Sequence, residues 1–270
     1  MTDHTIAGYL RKKRNWSWPG CANSILLCAL LIFAWELGVR LGGVPAYLLP
    51  PPSVIFARMV SEFDEILYHS SITTIEVVVG FGLSILVSIP LAAVLSQFRA
   101  LERALYPILV ASQTIPKVAI APLIVVWFGF GPLPKILIAF LICFFPIVVD
   151  ALIGFRSTPK EVIWLARSMG ASRWRIFLNF QVPGALPNIF AGLKVASTLA
   201  VVGAVVGEFV AADRGLGYQL ILANGTLDVS LSFAVLVVLS LIGVALFAIV
   251  DLAERLMLPW HVSQRINQKR

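Results

Sequence analysis

An all-helical chain that crosses a membrane several times is the fold class this sequence predicts, and three observations predict it. Apolar residues make up 59% of the 270 residues and charged residues only 13%, against about a quarter charged in a soluble domain. That leaves too little polar surface to cover a globule, so lipid is the expected solvent. Second, six runs match the roughly 20 apolar residues a helix needs to cross the hydrocarbon: Cys21–Leu41, Ile72–Leu95, Leu105–Phe128, Leu133–Gly154, Asn188–Ala211 and Leu231–Leu252. Third, Lys and Arg are distributed unevenly between the two sides of these runs.

The elements follow in order. Residues 1–20 form a polar tail in which Arg11-Lys12-Lys13-Arg14 precede Trp16 and Trp18. Basic residues followed by interfacial aromatics read as an anchor ahead of the first span, and no cleavable signal peptide is expected. The membrane domain covers 21–256. Between its first two spans, Leu49-Pro-Pro-Pro-Ser53 ends one helix and restarts another, so Val54–Phe63 is expected to lie as a short interfacial helix. Pro90, Pro107, Pro116, Pro122 and Pro146 fall inside spans and should kink or break them. The third span is the most interrupted, with Ser112-Gln113-Thr114 beside Pro116 and Lys117. Polar residues at a break near mid-membrane are typical of translocation paths, although a single proline serves packing as often. Residues 156–187 are a polar, basic interruption. Ala212–Asp228 is expected to be a loop, with Gly215 and Gly217 giving a flexible turn, and 257–270 is a second polar tail.

With the N-terminus inside, the inner segments hold Arg11 to Arg14, Arg99, Arg103, Arg156, Lys160, Arg167, Arg173, Arg175, Arg255, Arg265, Lys269 and Arg270. The outer segments hold only Arg58, Lys135 and Arg214, with Arg40 at a span end. The bias puts both termini and the 156–187 loop in the cytoplasm.

Within that loop, Pro159 suits a helix start, Lys160–Met169 are mostly good helix formers, and Gly170 permits a sharp turn. Ser172 is placed to cap a second helix through Phe180, with Pro183 and Pro187 expected to stop it. Trp174, Phe177 and Leu178 fall on one side of that helix as an apolar knob, which asks for a groove on a partner.

This loop resembles the cytoplasmic signature of the membrane subunits of bacterial ATP-binding-cassette importers: Glu-Ala-Ala, three residues, Gly, nine residues, Ile-x-Leu-Pro. Trp164-Leu165-Ala166 occupies the first triplet, Gly170 the glycine and Phe180-Gln181-Val182-Pro183 the end. The family's glutamate is Trp164 here, and the nearest carboxylate, Glu161, lies one turn earlier. The resemblance extends over nearly the whole chain through Tyr47–Ser53, Pro122–Gly129, Phe145–Val149, Gly170–Arg173, Pro183–Pro187, Ala191–Leu193, Gly207-Glu208 and Gly215–Tyr218. These segments are similar to permeases for nitrate, sulfonates and taurine, and Thr114–Asp150 and Val201–Gly217 to those for pyrimidine precursors of thiamine or for flavins. The resemblance implies a type I importer permease with six transmembrane helices, set in a bacterial inner membrane as a homodimer. The loop would be its coupling helix, with Glu161, Ala166, Gly170, Ala171, Ser172, Arg173, Trp174, Arg175, Phe177 and Pro183 forming or shaping the contact with an ATPase. Two cytoplasmic ATPase subunits would bind ATP, and an external binding protein would deliver a small polar or anionic nutrient.

Several charges lie in or near spans, where each is costly unless paired or facing water. An Asp150–Lys194 pair is expected, and Gln113, Lys117 and Glu208 are candidates for lining the passage. The chain has no Gly-x-x-x-x-Gly-Lys-Ser/Thr phosphate loop. Its histidines, His4, His69 and His261, sit at polar ends or loops, so no enzyme and no ATP hydrolysis of its own is expected. Cys21, Cys28 and Cys143 lack metal-ligand spacing and read as small buried hydrophobes, so no metal or cofactor is expected. The net charge of +7 follows membrane sidedness rather than nucleic acid. The alternative is a self-sufficient secondary transporter or channel, for which six spans are few and a docking loop is superfluous.

Overall fold

The computed structural model describes residues 19–211 and 213–259. Most of both tails therefore lies outside the described residues, including Arg11–Arg14, Arg265, Lys269 and Arg270, as do the side chains of Cys21 and Arg99. The described residues fold into helices α1 (Pro19–Leu41), α2 (Pro52–Ser61), α3 (Phe63–Gln97), α4 (Arg99–Gln113), α5 (Lys117–Phe128), α6 (Pro132–Arg156), α7 (Lys160–Ser168), α8 (Arg173–Ile176), α9 (Val182–Ala211), α10 (Leu216–Gly225) and α11 (Val229–Met257). Among the described residues, four helical stretches are long and apolar enough to cross a membrane: α3, α6, the 39 residues Arg173–Ala211, and α11. A bent α4–α5 pair would be a fifth.

The third apolar run is thus not one straight helix. It breaks at Thr114–Pro116, and its arms meet at 98°. Pro116 cannot donate to the ladder, and the residue before a proline avoids the helical region, so the chain leaves the helix here. The break falls where the prolines predict it, but the second helix of the 156–187 loop differs from expectation. Pro183 and Pro187 do not stop a helix. A π-helical turn, Phe177–Gln181, joins α8 to α9, and Pro183 falls in the first turn of α9. The wider turn lets the loop's second helix run on into the span.

The core is α3, α6 and α9, brought together by small residues. An ideal Cβ on Gly203 of α9 would lie 2.6 Å from Ala139 Cα, and one on Gly80 of α3 would lie 2.7 Å from Ala139 Cβ. Ala139, on α6, is wholly buried between them. Close backbone approach of this kind is how helices associate in lipid, where apolar side chains gain little by leaving the solvent. Gly203→Val should therefore force α6 and α9 apart and cost about 1–3 kcal/mol, as overpacking does. A lowered unfolding midpoint in detergent checks it.

Helix α1 stands off this core, with Ile25, Leu30 and Phe33 exposed. It is tied on near its end, where Trp35 packs on Phe233 at 5.8 Å. There Glu36 accepts hydrogen bonds from the Ser53 amide at 3.0 Å and hydroxyl at 2.8 Å, fixing the start of α2. Cys28 lies on the exposed face of α1, contrary to the expectation of burial, because α1 packs so little. Cys143 is buried.

Candidate functional site

Two regions carry the chemistry, at opposite ends of α6. The first is the elbow between α7 and α8. Gly170 has φ +80°, a conformation other residues rarely adopt. Its amide donates to Arg167 O at 2.9 Å, and that of Ala171 donates to Ala166 O at 3.0 Å. These are the two bonds of a glycine-terminated helix end. The Ser172 hydroxyl then accepts the Arg175 amide at 3.4 Å and opens α8. The glycine and the cap, both readable in the sequence, set the bend.

The side chains this bend displays differ from expectation. Phe177 is buried and packs at 5.4 Å, its ring tilted, on Phe155 of α6, because the helix continues into a span instead of ending free. Ala166 is buried too. Trp174 rests on Phe177, with ring centroids 5.7 Å apart, yet stays 65% exposed. Across the bend, Trp164 and Leu165 on α7 and Met169 at its end are exposed as well. The apolar knob is therefore Trp174 with these three, surrounded by exposed Glu161, Arg173 and Arg175. Leu165 and Met169 lie four residues apart on one helix face, a spacing that would have marked them. Pro183 is half-buried at the base of α9.

The second region clamps α10, which replaces the expected flexible loop. The amides of Gly215, which precedes α10, and of its first two residues each meet a side chain from α3 or α9. Gly215 N–H donates to His69 Nδ1 at 2.9 Å, Leu216 N–H to Thr73 Oγ1 at 2.8 Å, and Gly217 N–H to Glu208 Oε2 at 2.5 Å. Thr73 Oγ1–H in turn donates to Glu208 Oε1 at 2.7 Å. A Cβ on Gly215 would collide with the Glu208 carboxyl, so the glycine is required by approach as well as by its φ of +115°. Next to Glu208 stands a buried ion pair, Lys135 Nζ to Glu76 Oε1 at 2.6 Å. Beyond the span end, the Arg214 guanidinium donates to Asp213 at 3.0 Å and holds its carboxyl below the usual range.

Glu208 is only 1% exposed and belongs to this clamp. It does not meet the other two candidates for the passage. Lys117 Nζ lies over the Phe145 ring at 5.1 Å, level with the break between α4 and α5, and Gln113 is exposed one turn before it. Phe145 and Lys135 are ten residues apart on α6, or about 15 Å along its axis. Lys194 does not pair with Asp150. It binds Asp251 at 2.6 Å and also Glu254. Gly192 is the α9 residue that abuts Asp150, and two residues further round the helix is roughly 200°, which turns Lys194 toward α11. Thr73 and Lys135 were not singled out in the sequence. A hydroxyl and a lysine beside a span end carry no pattern of their own.

Membrane-length helices, a span broken at polar residues and an exposed apolar elbow define a multi-pass membrane transport subunit. The chain belongs to the family of binding-protein-dependent transport system inner membrane components, whose model matches residues 84–259. It is 40% identical to the riboflavin transport system permease protein RibX of Chloroflexus aurantiacus, over 96% of this chain and 97% of that one. It is 38% identical to the formylaminopyrimidine transport permease protein ThiX of Halalkalibacterium halodurans, over 88% and 96% respectively. It is 28% identical to the taurine transport system permease protein TauC of Escherichia coli, over 93% and 94%.

Proposed function

We propose that this chain forms half of the pathway of an ATP-driven importer for a small heteroaromatic nutrient of the riboflavin or pyrimidine-precursor kind. The observation that carries the coupling is the elbow: four exposed apolar side chains, including two tryptophans, on a rigid bend at the foot of a 39-residue helix. Such a knob fits a groove in a partner, here an ATPase subunit, and a homodimer would engage two. ATP would bind in those subunits, and an external binding protein would deliver the nutrient at the α10 end. The six-span arrangement adds α1 to the spans. Its 23 residues reach about 34 Å, enough for the hydrocarbon core. With both termini and the elbow in the cytoplasm, the positive charges fall on the inner side of the bacterial inner membrane.

The substrate class is supported by two relatives named for ring compounds, at 40% and 38% identity. It is supported also by Phe140, Phe144 and Phe145, half-buried and neighbouring at 5.5 and 5.1 Å beside Lys117. Aromatic faces with one ammonium suit a flat polar ring.

The test is uptake into vesicles holding this chain with its ATPase and binding protein. Riboflavin or aminopyrimidine uptake should follow internal ATP and persist when the proton gradient is collapsed; uptake that follows the gradient instead overturns the reading. Lys117→Met should raise the half-saturating substrate concentration about tenfold, the scale of one charge-assisted contact. Unchanged affinity would remove Lys117 from the pathway.

A further inference from the structure

At the elbow end of the bundle a cavity of about 550 Å³ opens between α4, the end of α6 and α7. None of the roles above uses it. Three cations line it, Arg103, Arg156 and Lys160, against one carboxylate, Glu102. Glu102 is buried and ion-paired with Arg156. Arg103 and Lys160 have no carboxylate partner among the described residues, so three cations less one anion leave two positive charges. Tyr106 adds a hydroxyl to the wall, and the Thr158 hydroxyl, also on it, is buried with no hydrogen-bond partner among the described residues.

We propose that this cavity binds a phosphate ester. The unpaired Arg103 guanidinium and Lys160 ammonium, with two hydroxyls on the same wall, suit a tetrahedral oxyanion, which takes several donors at once. The volume is in the range of small-molecule sites and exceeds what a bare phosphate would fill. The ester's organic part also has a place to lie, because Tyr106, Pro107 and Ile163 give the cavity an apolar wall. Basic pockets between helices near a membrane surface hold lipid headgroups in this way. An anionic phospholipid headgroup and a soluble phosphate ester share the recognised chemistry. Because Lys160 opens α7, a ligand here would bear directly on the elbow.

The experiment uses the full-length chain in nanodiscs. One arm holds phosphatidylcholine alone and is titrated with glycerol 3-phosphate. The other contains added phosphatidylglycerol and no soluble anion. The thermal unfolding midpoint should rise in at least one arm: in the first it identifies a soluble ester as ligand, in the second a headgroup. Arg103 and Lys160 are exposed, so the Arg103→Gln/Lys160→Gln double variant should fold with the wild-type midpoint in plain phosphatidylcholine. It should need about tenfold more ligand for half the rise. Arg103→Lys/Lys160→Arg should keep most of the response. No rise in either arm, or an undiminished rise in the glutamine variant, overturns the proposal.

Discussion

Replacing Lys135 by methionine should destabilise the protein by about 3–5 kcal/mol, the cost of removing one member of a buried ion pair. Lys135 is 3% exposed and Glu76 2%. Methionine fills the space but leaves Glu76 without its counter-ion, next to a second buried carboxyl on Glu208. The two carboxyls differ in their support. Glu208 accepts from the Thr73 hydroxyl and the Gly217 amide, whereas the support of Glu76 is the Lys135 ammonium at 2.6 Å. The Glu76→Gln/Lys135→Met double variant should recover most of the loss, because taking both charges away removes the desolvation penalty together with the attraction. Denaturant unfolding in mild detergent of wild type, both single variants and the double variant reads the coupling. A neutral Lys135→Met would mean that the pair contributes nothing to holding α3 against α6. The same cluster caps α10, so its loosening should also expose the amides of 215–217 to hydrogen exchange.

How much of this was legible depends on how far apart in the chain the cause and effect lie. The break at Pro116 and the turn at Gly170 each follow from residues within a few positions, and the structure has them; of the apolar runs, four are helices of membrane length among the described residues, or five with the bent pair. Helix α10 was not legible. Leu216-Gly217-Tyr218 has the look of a turn, and what makes it a helix start is His69 and Thr73, 146 and 143 positions away. Phe177 failed for a related reason. Helical spacing groups it correctly with Trp174, but which end of that aromatic stack faces inward depends on Phe155 across the loop. The prolines at 183 and 187 follow a local rule that a π-helical turn overrides. Asp150 and Lys194 share the cytoplasmic side of their spans, which makes a pair look natural, but the rotation of α9 against α6, set by Gly192, turns Lys194 to Asp251.

Trp174→Ala should weaken ATPase docking by about 2 kcal/mol or more, roughly 30-fold, while leaving the fold intact. The reasoning rests on where its surface goes. A side chain 65% exposed contributes little to the core, so its truncation should leave the unfolding midpoint close to wild type. Its indole is nonetheless held in place, stacked on a buried Phe177 that itself packs against Phe155. An anchor already fixed in the free protein loses little side-chain entropy on binding, which is what lets one residue carry much of an interface. Phe177→Ala makes the opposite test. It should cost about 3–5 kcal/mol of stability through the cavity it leaves, and would disturb docking only by unseating Trp174. Gly170→Ala should fall between, at about 1 kcal/mol of backbone strain from forcing a side chain into a φ of +80°. Co-purified ATPase and ATP-dependent uptake, read beside the unfolding midpoint, separate the three. If Trp174→Ala retains wild-type ATPase affinity and full coupling, the knob is not the docking element, and the burden passes to Trp164, Leu165 and Met169 on the other arm of the elbow.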